Sequence, residues 1–117
     1  MHTTVAPVME KTDMLRKSAE LCEVARAKGC TIIHVPIELL NDEENSDNPN
    51  PGLGILEGCA KGALFTAETW GAEFAKEMAP KLDQGDLVVQ GKRGLDSFPN
   101  SNLEDLLIKN GIETVAM

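Results

Sequence analysis

Tyrosine is absent from this chain, and the aromatic complement is one Trp and three Phe. Cysteine is scarce too. Cys22, Cys30 and Cys59 make an odd set, and no Cys-x-x-Cys is present. That spacing excludes a paired disulfide framework and a zinc site of the usual type. Reduced and mostly buried thiols fit an intracellular protein. Basic residues are in the minority, 11 against 19 acidic ones, for a net charge of −8. A surface of that sign repels phosphate backbones, so nucleic acid is not an expected partner. Long apolar runs are missing as well, and nothing approaches the roughly 20 residues that span a bilayer. No membrane partner is expected. The opening residues lack the basic and then apolar pattern of a secretory leader, so the expected location is cytoplasmic.

What is present is ordinary for one globular domain. The chain has 117 residues, 42% of them apolar and 26% charged. A single domain over residues 1–117 can bury a core, with little to spare.

The order of elements is legible. Residues 7–28 read as a first helix, with Pro7 at its start and Gly29 as its stop. Val8, Met14, Leu15, Leu21, Cys22 and Ala25 recur at helical spacing as one apolar stripe. Residues 31–37 are β-branched and apolar on both faces, as a buried parallel strand is. Residues 38–63 read as one long loop, acidic and Asn-rich and then glycine-rich. Residues 68–78 suit a short helix before Pro80, and residues 86–90 a second strand. Asn100 or Ser101 can cap a helix through Lys109, with Glu104 completing a capping box. Residues 113–117 read as a third strand. The alternation predicts an α/β fold with a mostly parallel sheet. The final strand ends in a charged carboxylate with no covering helix after it, so the pattern reads as an incomplete sheet.

Candidate chemistry is sparse. Gly52, Gly54 and Gly58 do not match the dinucleotide fingerprint, because the third glycine comes one residue late. A flexible loop is the expected reading. His34, inside a strand, reads as a packed core histidine, and no second ligand nearby supports a metal. Cys59 has Lys61 near it but no other feature of an activated thiol. Cys22 and Cys30 read as structural. Residues 91–98 stand out. Lys92 and Arg93 follow a strand directly, and ligands in parallel α/β sheets bind at the carboxyl ends of strands. Two cations there could hold an anion or stabilise an oxyanion. They could equally be a solvated pair with Asp96 as ion partner. Spacing leaves both open.

The run Gln90-Gly91-Lys92-Arg93-Gly94-Leu95-Asp96-Ser97-Phe98, with Ser101 and Leu103 and then Gly111-Ile112 leading into residues 113–116, resembles the signature of the isochorismatase-like cysteine hydrolases. This family includes nicotinamidases and N-carbamoyl amidohydrolases. Ala25, Arg26 and Gly29 before the first strand fit the same pattern, as does Thr69-Trp70-Gly71-Ala72-Glu73-Phe74. The resemblance implies a Rossmann-like three-layer sandwich and a small-molecule substrate, with no cofactor. It implies hydrolysis of a small amide or related C–N bond by a Cys/Asp/Lys triad, through a cysteine acyl-enzyme. Lys92 matches the family's catalytic Lys. Arg93, Phe98 and Trp70 are the implied substrate-binding residues. The chain departs from the pattern at the other two positions. Asp13 does not match the family's Asp, none of the three cysteines matches its Cys, and the metal-binding Asp-x-His of nicotinamidases is missing. The family's first and C-terminal strands also have no counterpart. The first of these is central in relatives, so the expectation is a sheet open at its middle, or a homo-oligomer that borrows a strand. The alternative implied by these departures is a catalytically inactive pseudo-enzyme or an interaction subunit of the same fold.

Overall fold

The computed structural model describes residues 2–40 and 54–117, and side chains from residue 6 onward within them. Two helices open the chain, α1 (His2–Thr12) and α2 (Met14–Ala27). The single helix expected over residues 7–28 is therefore two, and Pro7 lies inside α1 rather than at its start. The break is at Asp13, whose backbone is left-handed at φ 54° and ψ 38°. Aspartate tolerates that region better than most residues. Thr12 closes α1 by donating its hydroxyl to the Val8 carbonyl at 2.8 Å. Asp13 and Glu20 both pair with Arg16 on the surface of α2.

The C-terminus of α2 ends as its sequence predicts. Gly29 is left-handed at φ 82°. Its N–H bonds the Arg26 carbonyl at 2.9 Å, and the Cys30 N–H bonds that of Ala25 at 3.0 Å. This double bond is the Schellman arrangement, which a glycine adopts without a Cβ penalty.

Two parallel strands follow, β1 (Ile33–His34) and β2 (Leu87–Val88), registered Ile33 to Leu87 and His34 to Val88. Both fall inside the predicted strands but are shorter. The ladder extends by the Leu87 N–H to Ile32 and the Val89 N–H to His34, at 2.9 and 2.8 Å. Helices with a parallel strand pair make this an α/β chain. The third strand expected at 113–117 does not form. These residues are mostly exposed, with Val115 at 52%, and carry no ladder. An extended segment needs a partner for its N–H and C=O groups, and no described strand lies beside this one.

Part of the predicted loop at 38–63 is a helix, α3 (Gly54–Lys61), which holds Gly54, Gly58 and Cys59. Gly52 and the acidic stretch lie outside the described residues. The short helix expected at 68–78 is instead two 3₁₀ turns, Trp70–Ala72 and Lys76–Met78, and the second packs on α2. A third 3₁₀ turn, Leu82–Gln84, leads into β2. The last helix, α4 (Leu103–Lys109), starts slightly later than predicted. Its N-cap is Asn102, not Asn100 or Ser101, and makes no side-chain cap bond; the Ser101 hydroxyl, one residue outside the helix, accepts from the Leu103 N–H at 3.2 Å. The bond goes to the second residue after Ser101, not to Glu104 as in a capping box.

The buried apolar set among the described residues is Leu39, Val89 and Leu103. The stripe predicted on the first helix is mostly uncovered: Val8, Met14 and Leu21 are exposed, while Leu15, Cys22 and Ala25 are half-buried. Buried polar side chains are as prominent as apolar ones: His34, Thr66, Asp86 and Arg93. The pairing of His34 with Asp86 therefore belongs to the interior as much as its apolar packing does.

Candidate functional site at the carboxyl end of β2

The segment after β2 is held by specific bonds. The Gln90 N–H donates to the Asn102 side-chain oxygen at 2.8 Å, and the Asn102 N–H returns to the Gln90 carbonyl at 3.2 Å. The start of α4 is thereby clamped to the end of β2. Between them Gly91 turns the chain at φ 86°. A Cβ at that position would collide with the Asn100 carbonyl. Only glycine satisfies both the left-handed angle and the close approach.

Lys92 comes next, half-buried, and its carbonyl accepts from the Glu38 N–H at 3.2 Å. One residue further along β1's exit, Leu39 bridges in parallel to Thr66, through bonds of 2.8 Å to the Phe65 carbonyl and from the Ala67 N–H. Leu39 and Thr66 are both buried. Thus the exits of both strands and the 65–67 segment converge at one end of the sheet. That segment carries backbone strain: Ala63, Phe65 and Glu68 all have positive φ, between 51° and 62°. Sequence reasoning missed this convergence, because no local pattern marks an isolated bridge.

Arg93 is buried, at 9% exposure. Its single hydrogen bond among the described residues runs from Nη1 to the Lys92 carbonyl at 3.4 Å, and its buried Nε has no partner. Among the described residues Asp96 is not an ion partner of either cation. Its carboxylate accepts from the Phe98 N–H at 3.0 Å, an Asx turn that shapes its own loop. Phe98 is 55% exposed and shares the 91–98 segment with the two cations. Trp70 is exposed on a different element, the 3₁₀ turn that follows the bridged segment. The four candidates therefore divide into a contiguous trio and one residue on a neighbouring turn.

A second polar cluster lies at the opposite end of β2. Asp86 is 4% exposed and receives Arg26 Nε at 2.8 Å and Nη2 at 2.5 Å, the Lys81 N–H at 2.8 Å, and His34 Nε2 at 2.9 Å. Arg26 also pairs with Glu23, which in turn pairs with Lys81. His34 packs edge-on against Phe74, with ring centroids 5.5 Å apart. The Arg26 guanidinium holds the Asp86 carboxyl well below the usual carboxylate range, with help from the Lys81 N–H and His34 and against the effect of burial. His34 is thus the packed core histidine that its position in a strand predicts. The only signal for the Asp86 pairing was an acid at a strand start, and its partner Arg26 lies far away in sequence.

Among the described residues no group of three or more His, Cys, Asp or Glu is placed to hold a metal ion. Cys22 and Cys59 are half-buried and Cys30 is exposed, all as free thiols. The exposure of Cys30 departs from the expectation of buried cysteines. No helix among the described residues is long and apolar enough to cross a membrane.

No curated protein matches the chain. The family model of the Isochorismatase domain matches residues 2–117, nearly the entire sequence. With a match of that extent, the chain belongs to the isochorismatase domain family.

Proposed function

We propose that this chain is a hydrolase of a small amide or related C–N bond, in which Lys92 is catalytic. The observation that carries this reading is the position of Lys92. It follows the carboxyl end of a strand in a parallel pair, held by the Gly91 turn and the Gln90–Asn102 clamp. Attack on an amide carbonyl builds negative charge on the oxygen. A lysine ammonium offers three donors and a full positive charge to that oxygen, or to an ionised group beside it. Lys92 is the member of the Cys/Asp/Lys triad that this chain supplies. Arg93, Phe98 and Trp70 line the substrate side. In this reading residues 1–117 form one Rossmann-like domain, acting as a cytoplasmic homo-oligomer on a small molecule.

The test is turnover of a panel of nicotinamide and N-carbamoyl amides. Activity that falls by about 100-fold or more in Lys92→Ala, with the fold intact by circular dichroism, is the expected result. Well-folded protein that turns over none of the panel would overturn the hydrolase reading for this chain.

A further inference from the structure

We infer that the outward face of α2 seats the same face of a second copy in antiparallel orientation; this rests on the homo-oligomer of the reading above and gives it an interface. The observation is a second stripe on that helix. Leu15, Cys22 and Ala25 turn inward and are half-buried, as are Ala19 and Arg26. Met14, Leu21 and Val24 turn outward and are exposed, Leu21 at 69% and Val24 at 58%. Lys17 and Lys28 lie among them. At about 100° per residue, these five side chains fall within about 80° of arc. Met14, Lys17, Leu21, Val24 and Lys28 alternate in steps of three and four, the repeat by which one helix lies along another.

The charges on this face choose both the occupant and its direction. Asp13 and Glu20 flank the first half of the stripe. Lys28 closes its far end and has no ion partner among the described residues. Parallel pairing would set lysine on lysine and aspartate on aspartate. Antiparallel pairing sets Lys28 of one copy over Asp13 of the other. A two-fold contact repeats that pair at both ends of the seam. Arg16 occupies one oxygen of Asp13, which leaves the other for a lysine. The two helix dipoles also run in opposite senses.

The middle of the seam is compatible with the same register. Met14 of each copy then lies against Val24 of the other, and Lys17 against Leu21. The lysine stem covers the leucine while its ammonium reaches the Glu20 beside it. Each chain carries −8, so two copies repel over most of their surface. Contact is favoured where cations interrupt that field, as Lys17 and Lys28 do here. A seam of two heptads is short, which puts the dimer in the weak class of association.

The test is sedimentation velocity of the full chain at about 100 µM, which keeps a dimer of micromolar affinity mostly associated. Wild type is expected to run as a dimer, and Leu21→Lys as a monomer with an unchanged circular dichroism spectrum. If Leu21→Lys does not fold, Val24→Lys is read in its place. Direction is tested by exchanging charges at two exposed positions. Lys28→Glu and Asp13→Lys each set like charges together at both ends, and each alone is expected to weaken the dimer by about tenfold or more. An equimolar mixture of the two variants sets opposite charges together at both ends and is expected to restore association. A monomeric wild type overturns the proposal, as it would if residues 41–53 of the same chain or a different protein covered this face. A dimer that persists in both lysine variants of the stripe also overturns it, and so does a mixture no tighter than its components. The reading above is judged separately. A dimer that survives Leu21→Lys keeps the homo-oligomer and moves its interface elsewhere, and Lys92-dependent turnover sustains the hydrolase even in a monomer.

Discussion

The two ends of β2 treat buried charge in opposite ways. At the start of the strand, Asp86 is surrounded by Arg26, His34 and the Lys81 N–H, and Arg26 is further paired with Glu23. At the finish, Arg93 is also buried and has no carboxylate among the described residues. A saturated cluster has nothing left to offer a ligand; it joins α2, β1 and β2 into one body. An unsaturated one retains its binding capacity. The same strand thus separates a saturated end from an unsaturated one, and the difference lies in pairing rather than in residue type.

The largest expected effect comes from breaking the saturated end. Asp86→Ala leaves Arg26 and His34 facing an empty buried position. It is expected to lower the unfolding free energy by about 3–5 kcal/mol, measured by urea denaturation. Acid should act on the same group. The Asp86 carboxyl titrates lower in the folded chain than in the unfolded one, near 3.9 for a free aspartate. Its contribution is therefore fully present above pH 4 and is lost as pH falls from there toward the depressed folded value. Denaturation midpoints from pH 7 down to pH 2 should drop more steeply in wild type than in Asp86→Asn. Parallel curves for the two proteins would show that some other carboxylate controls acid stability.

Smaller effects are expected at the unsaturated end. Gly91→Ala forces a left-handed alanine against the Asn100 carbonyl. A cost of about 1–3 kcal/mol is expected, together with reduced turnover, because the displaced loop carries Lys92. Asn102→Ala removes the side-chain arm of the clamp to Gln90 and should lose about 1 kcal/mol. A loss of turnover greater than the loss of stability would mark the clamp as a positioning device for Lys92. The smallest change is Arg16→Ala on exposed α2, which should leave the urea midpoint almost where it is in wild type, because solvent screens both ion pairs. An effect there as large as at Asp86 would contradict the division between paired interior charge and solvated surface charge.

Much of this was visible in local sequence. The Schellman end at Gly29, the Ser101 hydroxyl on the first N–H of α4, and the parallel strands at Ile33–His34 and Leu87–Val88 follow from residues close to one another. So does the position of Lys92 after a strand, where the family resemblance also placed it. These features depend on short-range chemistry: a left-handed glycine, a hydroxyl beside a free N–H, a run of β-branched side chains. The misses share a different cause. The break at Asp13, the helix at Gly54–Lys61 and the unpaired state of residues 113–117 were settled by competing conformations and by whether a partner was available. The fate of the charges was decided by tertiary structure alone. The sequence by itself determined that Arg26 and Arg93 are cations and that Asp86 is an anion at neutral pH. Folding decided that Arg26 and Asp86 neutralise one another across 60 positions while Arg93 is buried without a carboxylate among the described residues, because pairing depends on distance in space and no local pattern encodes that distance.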